Sequence, residues 1–235
     1  MIEHRPFDGL GRFQLDWLAA RHHFSFGQYH DPKRMGVGPL RVWNDDTIQP
    51  NTGFDPHPHR DMEIVTYVRR GAITHQDNLG NEGRTPAGDV QVMTAGTGVV
   101  HAEYNREPEA TQIFQIWIEP NARGLTPAWD QRTFPGADRA GRLVALASGR
   151  AEHPEALPIH QDAAILGATL AAGQRVTHPL GGGRQAYLVP ATGKLQINGV
   201  VLEARDGAVI WDDDAVEIAA LEDSELLLAD LPGNA

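Results

Sequence analysis

The sequence predicts an all-β protein built from two copies of one small barrel or jelly roll. Three observations carry that expectation. First, 25 glycines and 16 prolines among 235 residues cut the chain into short segments, and those segments are rich in β-branched residues. Second, no long run of helical amphipathic periodicity occurs. Third, the two halves share a rhythm: a strand, a hairpin closed at a Gly-Asn or Asn-Gly pair, a Gly-Asp or Asp-Gly turn, then further strands.

Taken in order, residues 1–39 read as irregular, with a helical turn at Asp16-Trp17-Leu18-Ala19-Ala20. His22 and His23 follow. Neighbours on an extended chain face opposite ways, so this pair reads as cover or pocket wall and not as two ligands. Leu40-Arg41-Val42-Trp43-Asn44 is a strand, and Asn44-Asp45-Asp46 turns the chain. Met62 to Val68 is a β-branched strand ended by Gly71. Ala72 to Asp77 leads into the Asn78-Leu79-Gly80-Asn81 turn, where Asn and Gly supply hairpin chemistry. Gly88-Asp89 precedes Val90-Gln91-Val92-Met93, and Gln112 to Ile118 is a strand closed by Glu119-Pro120.

Residues 121–136 cross between the halves, dividing a unit of residues 1–135 from one of residues 136–235. Strands recur at Arg142–Leu146, Ile165–Leu170, Gln185–Val189 and Gly193–Ile197. The Asn198-Gly199 pair then joins two apolar runs, a strong hairpin signal. Asp206–Trp211, Glu217–Leu221 and Glu225–Leu231 complete the second half.

The formal net charge of -11 disfavours nucleic acid and anionic membranes as partners. With no cysteine there is neither a disulfide nor a thiolate metal site. The N-terminus lacks the apolar run of a signal peptide, and no stretch of about 18 apolar residues occurs, so a soluble, cytoplasmic monomer is expected.

One chemical signal stands out. His57-Pro58-His59 and His101-Ala102-Glu103 each hold two metal-type ligands two residues apart. On a strand, such pairs share a face. Three imidazoles and one carboxylate could therefore meet at one divalent transition metal. A sulfur-free N/O set suits Fe(II), and also Cu, Mn, Ni, Co or Zn. Glu63 has the parity of the histidine pair and reads as a supporting or structural partner. His75 beside Asp77 reads as a hydrogen-bonded turn histidine with a pocket role open, Asn105 as a backbone-bonding residue, and Met62 and Met93 as core. Asp212-Asp213-Asp214 reads as a solvated turn. His4, His153 and His160 receive no role.

Gly53, His57-Pro58-His59 and Glu63, with Gly98-Val99-Val100-His101-Ala102-Glu103-Tyr104-Asn105, resemble the two cupin motifs. The spacing from Gly53 to His57 is shorter than the general form. The closer similarity is to pirins, the bicupin family that includes bacterial quercetin dioxygenases. It rests on His22 to Gly27, Leu40 to Asp46, Gly53 to Glu63, Gln91 to Gly96 and Gln115 to Ile118, and is dense over residues 4–135. Ala102 stands where relatives often carry Ser. The resemblance implies a bicupin whose N-terminal barrel holds one metal, expected as Fe(II), on His57, His59, His101 and Glu103. It implies a C-terminal barrel without a metal, since His178-Pro179 has no His-x-His. It further implies O₂-dependent cleavage of a flavonol such as quercetin at the 2,3-bond, with Glu103 as base, on a small aromatic substrate. Two alternatives stay open. One is a regulatory or redox-sensing protein with a protein partner, favoured by a sealed metal site. The other is a cupin isomerase acting on a small polar substrate, favoured by an arginine-lined cavity, with Arg41 and Arg60 as candidates.

Overall fold

The computed structural model describes residues 1–233. The first unit follows a short N-terminal strand, β1 (Ile2–Arg5). It comprises β2 (Gly11–Gln14), β3 (Leu18–His22), β4 (Leu40–Ile48), β5 (Thr52–His59), β6 (Glu63–Arg70) and β7 (Ala72–Asp77), then β8 (Glu82–Pro86), β9 (Val90–Thr94), β10 (Val99–Asn105), β11 (Thr111–Ile118) and β12 (Ala128–Arg132). The second comprises β13 (Val144–Ser148), β14 (Leu157–Pro158), β15 (Ala164–Leu170), β16 (Arg175–Pro179) and β17 (Arg184–Thr192), then β18 (Leu195–Ile197), β19 (Val200–Leu202), β20 (Gly207–Trp211), β21 (Ala215–Ala220) and β22 (Ser224–Pro232).

Each unit pairs a seven-stranded sheet with a four-stranded one. In the first, β12-β9-β6-β11-β4-β3-β2 covers β5-β10-β7-β8; in the second, β1-β20-β17-β22-β15-β13-β14 covers β16-β21-β18-β19. The two orders correspond strand for strand, with β5 and β10 matched by β16 and β21. The shared rhythm of the sequence is thus a repeated architecture, the bicupin arrangement of two jelly rolls.

The outer faces of the two large sheets pack against each other. Trp43, Val65, Tyr67, Phe114 and Ile116 from one meet Ile165, Tyr187, Val189, Leu227 and Ala229 from the other in one continuous core. Strand alternation makes this possible, since the residues between these face the interior of their own unit.

Two readings of the first 39 residues are corrected. Leu18–His22 is a strand, not a helical turn, and it pairs with β2 and β4. Leu18, Ala20 and His22 turn inward while Ala19 and Arg21 are half-buried, a period of two that the alanines obscure. Residues 2–5 are likewise not irregular. They pair with β20, Ile2 opposite Ile210 and Arg5 opposite Gly207, so the start of the chain crosses the expected division and completes the second unit's sheet. The Asn198-Gly199 hairpin forms as expected, with φ of 45° and 86° at the two positions, the left-handed values its turn type requires.

Candidate metal centre

The interiors of the two units differ. In the second, leucine, isoleucine, valine and alanine side chains fill one unbroken cluster, including Leu195, Ile197, Val216 and Ile218 on its small sheet. In the first, the apolar packing is split. Leu18, Ile48, Val68, Ile73 and Ile113 gather at one end, and Ile64, Met93, Ala95 and Val99 at the other. Between them lies a belt of buried polar side chains: Asp46, Thr66, His75, Gln91, His101, Glu103 and Gln115. Burying such groups is costly unless they bond to one another or to a ligand.

The belt is centred on β10, which runs between β5 and β7. His101 lies opposite His57 on one side and Asp77 on the other, while Glu103 lies opposite Phe54 and His75. The register shifts between these positions, because β5 carries one extra residue around Asp55-Pro56. That bulge lets Phe54, His57 and His59 all reach the same cavity although the first two are three residues apart. Gly53 is required for the pairing: a Cβ there would meet the Glu103 carbonyl and Tyr104 Cα.

His57, His59 and His101 each offer a ring nitrogen, and the three nitrogens lie within 4.8 Å of one another. A second group with the same limit is formed by His75, His101 and Glu103. The two groups share His101. Glu103 is therefore drawn toward the same centre, but its carboxylate belongs to the group on the His75 side.

The hydrogen bonds fix how these rings present themselves. Asp77 accepts from Asn81 Nδ2 at 2.8 Å and from the backbone N–H groups of Leu79 and Asn81. Although burial pushes the Asp77 carboxyl up, these bonds hold it below the ordinary range. The ionised carboxylate accepts from His75 Nε2 at 3.1 Å, so His75 Nδ1 is left as an acceptor. That nitrogen lies 3.3 Å from His101 Nδ1, which donates to it. His101 Nε2 then carries a lone pair. His57 Nδ1 donates to the Asp55 carbonyl at 2.7 Å, which turns His57 Nε2 toward His101. These two nitrogens face each other at 3.1 Å.

Two ring nitrogens at that distance need a proton or a metal ion between them. Burial, reinforced by the neighbouring imidazoles, lowers the His59 and His101 rings to about 3, so neither takes up a proton at neutral pH. Neutral imidazoles with their second nitrogens fixed by hydrogen bonds are the form that a transition metal takes as ligands. The residues present fit a divalent metal.

Glu103 is fully buried and closely held. Gln91 Nε2 donates to Oε1 and Gln115 Nε2 to Oε2, each at 2.7 Å, and Thr66 Oγ1 approaches Oε1 at 3.4 Å. Burial still pushes its carboxyl above the ordinary range.

Beside His57 and His59 opens a cavity of about 820 Å³. Phe13, Trp17, Phe26, Tyr29, Phe54 and Trp117 give it aromatic walls, and His22, Asn44, Asp46 and Gln115 place polar groups among them. Arg12 is the one guanidinium in the lining. Arg41 instead pairs with Glu119 at 2.9 Å, and Arg60 flanks a shallower groove beside Gly98.

Other sequence readings resolve as follows. His22 faces the cavity and bonds Asn44 at 2.8 Å, whereas His23 faces the second unit and bonds Tyr187 at 2.8 Å. The pair points in opposite directions, as strand alternation requires. Glu63 has the wrong parity for the cavity. It shares the outer face of β6 with Val65 and Tyr67, accepts from Thr94 Oγ1 at 2.8 Å and lies 3.3 Å from His160. His178 bonds Asp230 at 2.8 Å within a cluster that also contains Arg150 and Arg184. Asn105 bonds the Ile48 and Glu109 carbonyls, and Met62 and Met93 pack in the apolar cluster beneath Trp129.

His75 makes the hydrogen bond to Asp77 expected of it, but sequence reasoning missed Asp77, Gln91 and Gln115 as parts of the site. A signal existed. Gln91 and Gln115 each sit between apolar neighbours in a strand, and His75 and Asp77 have same-face spacing. Asp77→Ala should leave His75, and through it His101, without a fixed orientation. Metal affinity measured by chelator competition should fall about 10- to 100-fold; an unchanged affinity would show that the Asp77–His75–His101 chain does not set the ligand.

The depressed histidines also predict a pH response. Their folded values lie below the ordinary 6.5, so the unfolded chain binds protons that the folded one cannot. The metal-free protein should therefore lose stability as pH falls from 6.5 toward 3. The buried His22 and His23 act in the same direction. Melting temperature followed against pH should decline less steeply in His59→Gln than in the wild type, and parallel slopes would refute the assignment.

Comparison with known proteins agrees with this architecture. Residues 4–118 match the Pirin family, and residues 145–231 match the quercetinase C-terminal cupin domain. A pirin-like protein of Caulobacter vibrioides is 62% identical over 230 residues, covering 98% of this chain and 99% of its own. The quercetin 2,3-dioxygenase of Escherichia coli K12 is 41% identical over 233 residues, covering 99% of each. The crystal structure of the bacterial pirin YhhW from Escherichia coli, in complex with nickel(II), superposes with a TM-score of 0.94 at 40% identity and covers 100% of both chains. Matched over both jelly rolls and nearly end to end, the chain belongs to the pirin family.

Proposed function

We propose that the protein is a metal-dependent dioxygenase that cleaves a flavonol such as quercetin at the 2,3-bond, using O₂ and releasing carbon monoxide. One observation carries this most strongly: imidazole lone pairs converge on the wall of a roomy aromatic cavity that is open to a planar ligand. His57, His59 and His101 would hold the ion, with Glu103 completing the set from the His75 side. Fe(II) is the ion expected from the family, and the nickel complex of the Escherichia coli relative supports a divalent metal. When bound, such an ion supplies an electrophilic seat for a deprotonated hydroxyl and a place for O₂ to approach it.

The chain's own residues supply the rest. Phe54, Trp17 and Trp117 bind the faces and edges of the aromatic rings and exclude water from them. Glu103 takes the proton of the substrate's 3-hydroxyl, and its raised affinity for protons suits it to that task. Gln91 and Gln115 hold its carboxylate in place. An open cavity of this size favours catalysis over a sealed sensor site. A single lining arginine gives little to bind an anionic isomerase substrate. A cytoplasmic setting belongs to the same proposal.

Carbon monoxide release and oxygen uptake with quercetin under air test it. The metal-loaded protein should produce both, and the apoprotein neither. A fully loaded protein that releases no carbon monoxide would remove quercetin as substrate.

A further inference from the structure

Asp46 belongs to the polar belt, yet no step above uses it. In the sheet it lies between Ala20 of β3 and Ile113 of β11, alternating with Asn44 along β4, and it lines the cavity. Its neighbour Asp45 points to the other face and is held there by Arg69 and Arg205. Asp46 has no such company. It is 2% exposed, and its Oδ1 makes no hydrogen bond. Burial, with the Asp45 and Glu103 carboxylates nearby, pushes its carboxyl well above the ordinary range.

An acid in this condition costs the fold stability, because a buried polar atom without a partner forfeits its hydration. The surrounding polar groups are turned to other partners. Asn44 Oδ1 bonds His22. Gln115 commits its amide to Glu103 and its carbonyl oxygen to Trp117 Nε1. The cavity that Asp46 lines is where a ligand could supply the missing partner.

We propose that Asp46 contacts the ligand directly: a phenolic O–H of a hydroxylated aromatic molecule seated between Asp46 and the His57–His59 wall donates to an oxygen of its carboxyl group. The proposal rests on the oxygenase reading for where the ligand sits, but it needs no turnover. It makes Asp46 a specificity-determining residue that separates polyphenols from aromatic molecules of the same shape without hydroxyl groups.

Anaerobic binding of quercetin to the nickel-loaded protein tests this, followed by quenching of the cavity tryptophans Trp17 and Trp117. Asp46→Val keeps the size and suits a strand, while Asp46→Asn keeps a donor and an acceptor. Quercetin should bind Asp46→Val about threefold to tenfold more weakly, the worth of one hydrogen bond, and Asp46→Asn within about twofold of wild type. Unhydroxylated flavone should bind wild type and Asp46→Val alike. Undiminished quercetin binding by Asp46→Val would overturn the assignment, and so would an equal loss in Asp46→Asn. If Asp46→Val does not fold, Asp46→Ala is judged by the same outcomes. Because O₂ is absent, a failure to release carbon monoxide under air would remove the oxygenase reading and leave this result standing.

Discussion

His101→Ala is expected to empty the metal centre and, with it, to abolish oxygen-dependent attack on quercetin. This side chain belongs to both ligand groups of the first unit, facing His57 through Nε2 and His75 through Nδ1. Its removal takes a ligand from each group at once. It also leaves His75 Nδ1 buried without a donor. Altering a residue that merely orients a ligand costs about 10- to 100-fold in affinity, so the loss here should exceed about 100-fold. Chelator competition and metal analysis of the purified variant measure it. His57→Ala and His59→Ala, which leave the group of His75, His101 and Glu103 intact, should lose less. A His101→Ala protein that keeps stoichiometric metal would place the centre elsewhere.

The largest expected effect on stability lies far from the metal. Trp43 is fully buried between the two large sheets, with Phe114 at 5.7 Å and Tyr187 at 5.5 Å between ring centroids. The outer faces of both sheets are apolar only because they cover each other. Trp43→Ala should cost about 3–5 kcal/mol through lost burial and a residual cavity. For a chain of this length that corresponds to a fall in melting temperature of roughly 6–20 °C. A thermal scan of the variant measures this, and a shift of a degree or two would mean that the units are stabilised independently of their contact.

Much of the fold was legible because its signals are local. Glycine and proline punctuation, β-branched runs and the Asn198-Gly199 pair mark strands and turns without reference to the rest of the chain. The strands missed at Ile2–Arg5 and Leu18–His22 lack such signals. The first finds its partner at Gly207–Ile210, some 200 positions away, and the second is built around alanines whose small side chains hide the alternation. The site divides in the same way. The spacing of His57, His59, His101 and Glu103 is visible because each pair lies within one strand. The parity of Glu63 could not be extrapolated from the histidines, since the chain leaves the strand at residues 60–62, with Asp61 in the left-handed region at φ 48°, and this break resets the faces. His75, Gln91 and Gln115 contribute from three further strands, and only the packing of β9 and β11 of the large sheet over β7 and β10 of the small one shows that they converge.

Anomalous diffraction from a crystal of the metal-loaded protein locates the ion. One strong peak is expected within bonding distance, about 2.0–2.2 Å, of ring nitrogens of His57, His59 and His101, with Glu103 reaching it from the opposite side. A peak bound only by His75, His101 and Glu103, or none near His101 in a protein that carries metal, would contradict that placement.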